Sequence, residues 1–330
     1  RLAEAAHGKI PRRVSPSYIW GVALDELARR QPDLRIINLE TSITRSTNYV
    51  RKGINYRMSP ENAACLSAAY VDCCTLANNH VLDWGRAGLL ETLDCLTRLG
   101  VKMAGAGRDI DEARSPAILE PQPKVRVLVF SFATPTSGVP ASWAAHSDSP
   151  GVNLLPDLSA RTATRVAEEI CRTKKPHDIV IASIHWGSNW GYEIPGDQRQ
   201  FAHTLIDEAS ISIIHGHSSH HAKAIEVYRN RLILYGCGDF LNDYEGISGY
   251  ESFRGDLPLM YFADIDTAHG DLQALEITPL HIKHFRLERA SDDDAAELGG
   301  ILDRECARFN ARVSTRSDRT FGLRWPTAHI

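Results

Sequence analysis

Four short polar clusters hold most of the chemistry-bearing side chains of this 330-residue chain. They are Asn38-Leu39-Glu40, Ala77-Asn78-Asn79-His80, His185-Trp186-Gly187 and His215-Gly216-His217-Ser218-Ser219-His220-His221. Six of the 14 histidines fall between residues 185 and 221. Four imidazoles interleaved with glycine and serine are poor core material and good ligand material. Nitrogen and oxygen donors without thiolate suit zinc, manganese or iron. Two such ions a few Å apart lower the pKa of a shared water and neutralise charge on a phosphoryl oxygen. The histidine-rich run therefore points to a metal site, with which such chemistry is consistent. Each cluster alone has a plainer reading: a capped strand end, an asparagine turn, a satisfied core histidine. The set is what carries the argument, and His203, placed mid-helix, is given no role.

Each cluster directly follows an apolar run. In an α/β sheet the loops beyond the strand carboxyl ends converge on one rim, where ligands bind. Strands are expected at 35–40, 70–76, 125–132, 178–184, 211–214, 224–228, 231–235, 258–266 and 272–282. The pair 224–228 and 231–235, split by Arg229-Asn230, reads as a hairpin. Helical spacing predicts helices over 16–31, 60–69, 86–99, 158–173, 197–209 and 292–309. Strands and helices alternate early and strands cluster late, so the chain reads as an α/β fold. It is taken as one domain over 1–330, with a motif core at 35–245 and C-terminal strands and a helix at 255–330 completing it. The Ser/Pro/Gly-rich stretch 134–153 reads as a long loop placed to act as a lid.

Composition narrows the classes. Apolar residues make up 43% and charged residues 24%, which excludes general disorder. The net charge of −4 argues against a nucleic-acid partner. No apolar run approaches the ~20 residues of a membrane span. The seven cysteines form no CxxC pair, so they read as small buried hydrophobes in a reducing compartment, the cytoplasm. No basic-then-apolar signal pattern follows Arg1.

The order Asn-Leu-Glu, Leu-Ala-Asn-Asn-His-x-Leu-Asp-x-Gly, His-Trp-Gly, and Gly-His-x-x-His followed by a strand and Gly-Asp-Phe resembles the CapA family. These are poly-γ-glutamate capsule-synthesis proteins related to calcineurin-like metallophosphoesterases. The resemblance runs from about residue 35 to about 245. It implies an αββα two-sheet sandwich with two divalent transition-metal ions (manganese, zinc or iron) at one rim. Glu40 then takes the place of the bridging carboxylate, with Asn79, His185 and His217 as ligands and His80 as general acid. His220 takes the last ligand position, with His215 and His221 as alternatives. Two departures stand out. The family's first strand, ending in Gly-Asp, has no counterpart before Asn38, so it either precedes Arg1 or the site has one ligand fewer. Gly238-Asp239-Phe240 stands where Gly-Asn-Phe is usual.

Around this set, Asp83 reads as the acceptor that fixes the His80 tautomer or as the N-cap of the following helix. Trp186, Trp190 and Tyr192 read as a wall that stacks on substrate or as a roof over the core. Lys52 and Arg57 could neutralise an anionic substrate, and Asp239 could orient a histidine or repel wrong substrates. Three functions compete: a phosphoesterase on a small or polymer-linked ester, an accessory factor that binds poly-γ-glutamate, and an amide hydrolase on that polymer.

Overall fold

The computed structural model describes residues 2–245 and 249–326. The last four residues of the region 255–330 lie outside them. Two sheets carry the site, one parallel and one mixed with a parallel centre. A three-stranded sheet runs in the order Ile36–Asn38, Cys73–Thr75, Lys102–Ala104, all parallel. A six-stranded sheet is built around Val125–Ala133, Ile179–His185, Ile213–His217 and Arg231–Leu234, which are parallel. The inner strands are nearly continuous apolar runs because both of their faces are covered. Val127, Val129, Ile179 and Ile181 on one sheet meet Cys73, Ala104 and the half-buried Ile36 on the other. The outer face of the small sheet packs against the helix Gly85–Leu99 through Leu89, Leu93 and Leu96. The outer face of the large sheet packs against Ala160–Thr173 and Gly196–Ala209 through Val166, Ile170, Phe201 and Leu205. The layers therefore run helix, sheet, sheet, helix. A five-stranded antiparallel sheet completes the molecule and rests on the helix Asp292–Ala307.

Most expected elements form. The hairpin joins Ile225–Tyr228 to Arg231–Leu234, and Arg229 and Asn230 both have positive φ (49° and 62°), as a tight two-residue turn requires. The helix expected over 16–31 is broken into a turn at Tyr18–Trp20 and a helix at Ala23–Arg30. Gly21 sits between them at φ 47°, where an added Cβ would meet the Leu287 carbonyl oxygen at 1.9 Å. The stretch 134–153 is not a lid. It is pinned by the buried Trp143 and by the pairing of Gly151–Val152 with Ala106–Gly107. Five of the seven cysteines, Cys65, Cys73, Cys74, Cys95 and Cys306, are buried as expected, whereas Cys237 is half-buried and Cys171 is exposed; no disulfide forms among the described residues. No helix among them is long and apolar enough to cross a membrane.

One feature departs from close packing. Among the described residues, Ile36–Asn38 pairs with a strand on one side only, and so does Leu259–Ile265. Consecutive residues of both strands line a single cleft of about 1250 Å³, open to solvent, whose floor includes Ile179, Ile181, Ile213 and Leu232.

Candidate metal centre

The site begins with two neighbouring strand ends. Ile179–His185 and Ile213–His217 run parallel in a register that sets His185 beside His217. The strand therefore continues three residues into the histidine-rich motif, beyond the expected end at 214. Gly216 allows this: a Cβ there would lie 2.5 Å from the Leu234 carbonyl oxygen and 2.7 Å from Trp186 Nε1. Ser218, immediately after, holds an unusual positive φ of 110° and donates its hydroxyl to the Gly187 carbonyl at 3.1 Å. Backbone strain of this kind gathers at functional sites.

Among the described residues, Glu40, His185 and His217 bring one donor atom each within 4.8 Å of one another. His185 is fully buried, and its Nε2 lies 3.8 Å from Glu40 Oε1 without a hydrogen-bond partner. Its Nδ1 lies 2.7 Å from His217 Nδ1. Burial, followed by the charges of His80, His220 and Lys52, pushes His185 down to about 3. Burial likewise holds His217 far below the usual imidazole range. Both rings are therefore neutral, the form that ligates metals. Glu40 is pushed up to about 7 by burial and by the nearby Asp239, against His220, the Asn38 amide and Lys52. A carboxyl held up beside a second acid marks a site short of positive charge. The orphaned His185 Nε2 and a second orphan, the buried Asn79 Oδ1, fit a divalent cation. Asn38 Nδ2 steadies Glu40 by donating to Oε2 at 2.8 Å.

His80 lies on the loop after Cys73–Thr75 and is 7% exposed. Its Nδ1 lies 2.7 Å from Asp83 Oδ2, which also accepts the Tyr56 N–H at 2.6 Å. Asp83 is therefore placed to accept from His80 Nδ1. The N-cap of Gly85–Leu99 is Trp84, without a side-chain cap, so the capping reading of Asp83 is excluded. Lys52 does not stand free for substrate. It pairs with Asp83 Oδ1 at 2.5 Å, donates to the Asn79 carbonyl and lies 3.2 Å from His80 Nδ1. Burial lowers the His80 pKa, opposed by Asp83 and aided by Lys52 and His220.

The remaining candidates separate. His220 is outside the three-residue group; its Nδ1 faces both Asp239 oxygens at 3.0 and 3.1 Å. Burial opposes its charge, but Asp239 and Glu40 outweigh burial and its pKa is raised. Asp239 thus orients a histidine. His221 is excluded as a ligand, because one ring nitrogen bonds the Ala222 carbonyl and the other accepts the Gly191 N–H. His215 bonds Ser183. Trp186 is core, 2% exposed, with Nε1 donating to the Tyr235 carbonyl at 2.9 Å. Tyr192 packs on His221 and Phe253. Trp190 stays at the rim, 5.4 Å from the His220 ring, but one face is stacked on Tyr250 at 4.2 Å. The Arg57 guanidinium lies over Trp84 at 4.2 Å and donates to the Ser46 carbonyl, so it is not brought to the cluster. Sequence reasoning missed Ser183, Thr75, Tyr56 and Tyr244. Tyr56 packs over His80 at 4.2 Å and Tyr244 meets His220 edge-on. Only Ser183 carried a signal, as a lone hydroxyl in an otherwise apolar strand.

The profile of the bacterial capsule synthesis protein family PGA_cap matches residues 2–244. A probable polyglutamine synthesis accessory protein of Mycobacterium tuberculosis strain H37Rv is 47% identical over 321 residues, covering 96% of this chain and 84% of that protein. The PGA biosynthesis protein CapA of Bacillus subtilis is 30% identical over 62% of this chain and 52% of its own length. The capsule biosynthesis protein CapA of Bacillus anthracis is 25% identical over 70% of this chain and 53% of its own. The extent of these matches, over a chain that gathers the four polar clusters at one rim, shows that it belongs to the bacterial capsule synthesis family PGA_cap, the family of CapA.

Proposed function

We propose that this chain is a cation-dependent hydrolase of the CapA family that cleaves a phosphate ester on a small or polymer-linked anionic substrate. The reading is carried by two buried donor atoms without partners, His185 Nε2 and Asn79 Oδ1, on the rim that also holds Glu40 and the His80–Asp83 pair. Glu40, His185 and His217 would hold one divalent ion, with Asn79 and His220 as the donors for a second. Such ions supply an activated water and neutralise charge on a phosphoryl oxygen. The chain's own residues do the rest. Asp83 accepts the Nδ1–H hydrogen bond of His80 and stabilises its imidazolium form, whose Nε2 gives its proton to the departing alkoxide and leaves the neutral Nδ1–H ring, help worth ~10²–10⁴ in rate. A phosphoryl anion beside His80 raises its pKa against the lowering by burial. Trp190 offers a rim surface for the substrate. The same reading gives the fold as the calcineurin-like sandwich, with the cleft between the two unpaired edges as the place of its first strand.

A second reading is favoured by the names of the relatives. In it the rim serves poly-γ-glutamate synthesis as an accessory, binding the polyanion or cleaving its amide links. One experiment separates the two. The chain is loaded with manganese or zinc and given p-nitrophenyl phosphate, bis-p-nitrophenyl phosphate and poly-γ-glutamate. Metal-stimulated release of nitrophenol, lost in His217→Ala, is the expected result. No release above that variant, with binding or shortening of the polymer, gives the second reading.

A further inference from the structure

Ser183 sits two residues before His185, fully buried, and its Oγ meets three polar atoms. Thr75 Oγ1 lies at 3.0 Å, His215 Nδ1 at 3.0 Å and His217 Nε2 at 2.8 Å. A serine hydroxyl has one proton to give and two lone pairs to accept with. Thr75 donates its own proton to the Ile37 carbonyl, at 3.4 Å. Its lone pair is therefore open to the Ser183 proton. Both lone pairs of Ser183 are then left for the two rings, so His217 must donate from Nε2 and His215 from Nδ1. One proton given and two received satisfy all three contacts, and the arrangement with Ser183 donating to a ring leaves Thr75 unmatched.

We propose that Ser183, itself oriented by Thr75, is a positioning residue that holds His217 as the Nε2–H tautomer. The Nδ1 lone pair of His217 then faces Glu40 and His185. Without a cation, that lone pair accepts the Nδ1–H of His185 across the 2.7 Å contact. This leaves the orphaned His185 Nε2 as a second lone pair. Thr75 belongs to the small sheet and Ser183 to the large one, so the tautomer is set by how the two sheets meet.

The inference deepens the cation reading and rests on it only for the affinity it predicts. The test starts with histidine ring ¹⁵N spectra of the metal-free chain. Wild type should show His217 protonated on Nε2. Ser183→Ala should lose that preference. Thr75→Val, which keeps the volume and frees the serine proton to turn toward His217, should shift the ring toward Nδ1–H. Zinc titration by calorimetry should show affinity falling about 10–100-fold in both variants. An Nδ1–H tautomer in wild type overturns the proposal even if neither variant folds. So does an unchanged tautomer in folded variants. If the tautomers shift as stated but wild type binds no zinc, the cation reading fails and the positioning role stands.

Discussion

At the scale of single residues, the site joins two kinds of histidine. His185 and His217 are kept neutral by burial, whereas His220 is kept charged-prone by Asp239. His80 lies between these extremes, lowered by burial and supported by a carboxylate that Lys52 partly neutralises. Replacing His80 should therefore separate chemistry from cation binding. His80→Asn is expected to lower kcat about 10²–10⁴-fold while the zinc Kd by calorimetry stays within about twofold of wild type. Equal losses in both would make His80 part of the cation site instead. Glu40, Asn79, His185 and His217 could be picked out in the sequence because each ends or follows an apolar strand. Trp186, Lys52 and Arg57 could not be placed that way. Side chains of one type serve as core, ion-pair partner or surface brace according to neighbours far away in the chain, and only the fold decides which.

At the scale of elements, the same limit has a physical pattern. The long apolar runs at Val125–Ala133 and Ile179–His185 were plain in the sequence because both faces are buried. Ala117–Gln122, Arg286–Arg289 and Arg312–Thr315 are not legible in the sequence, because short, partly exposed strands owe their form to pairing partners rather than to propensity; Phe321–Arg324 is mostly buried but too short to show a period. A polar cluster behind the site shows how elements are fastened together. Glu226, on the strand Ile225–Tyr228 and 4% exposed, accepts from Tyr235 Oη at 2.6 Å and faces His203 and Arg199 of the helix Gly196–Ala209. Burial raises its pKa, but the bonds from His203 and Tyr235 and the charges of His203 and Arg199 outweigh it, and the net shift is downward. A carboxylate with a depressed folded pKa contributes stability fully above its unfolded value. That contribution is lost as pH falls through the folded value. Tyr235→Phe should therefore cost about 1.5–3 kcal/mol at pH 7 by urea unfolding and markedly less once the pH has fallen through the depressed folded value of Glu226. A cost independent of pH would assign the loss to packing.

At the scale of the whole molecule, two sheets and a third antiparallel sheet meet around a cleft that none of them closes. The backbone groups of Ile36–Asn38 on the side away from Cys73–Thr75 have no strand partner, whereas Cys73–Thr75 is paired on both sides. Amide hydrogen exchange should therefore be much faster across residues 36–38 than across 73–75, although the two strands are neighbours in one sheet. Equal protection would mean that the cleft is filled in solution. Unfinished strand edges above an apolar floor also act as a template for other chains. Concentrating a preparation of these 330 residues should thus drive clumping, and a short extended apolar peptide added in excess should suppress it by capping the growing end.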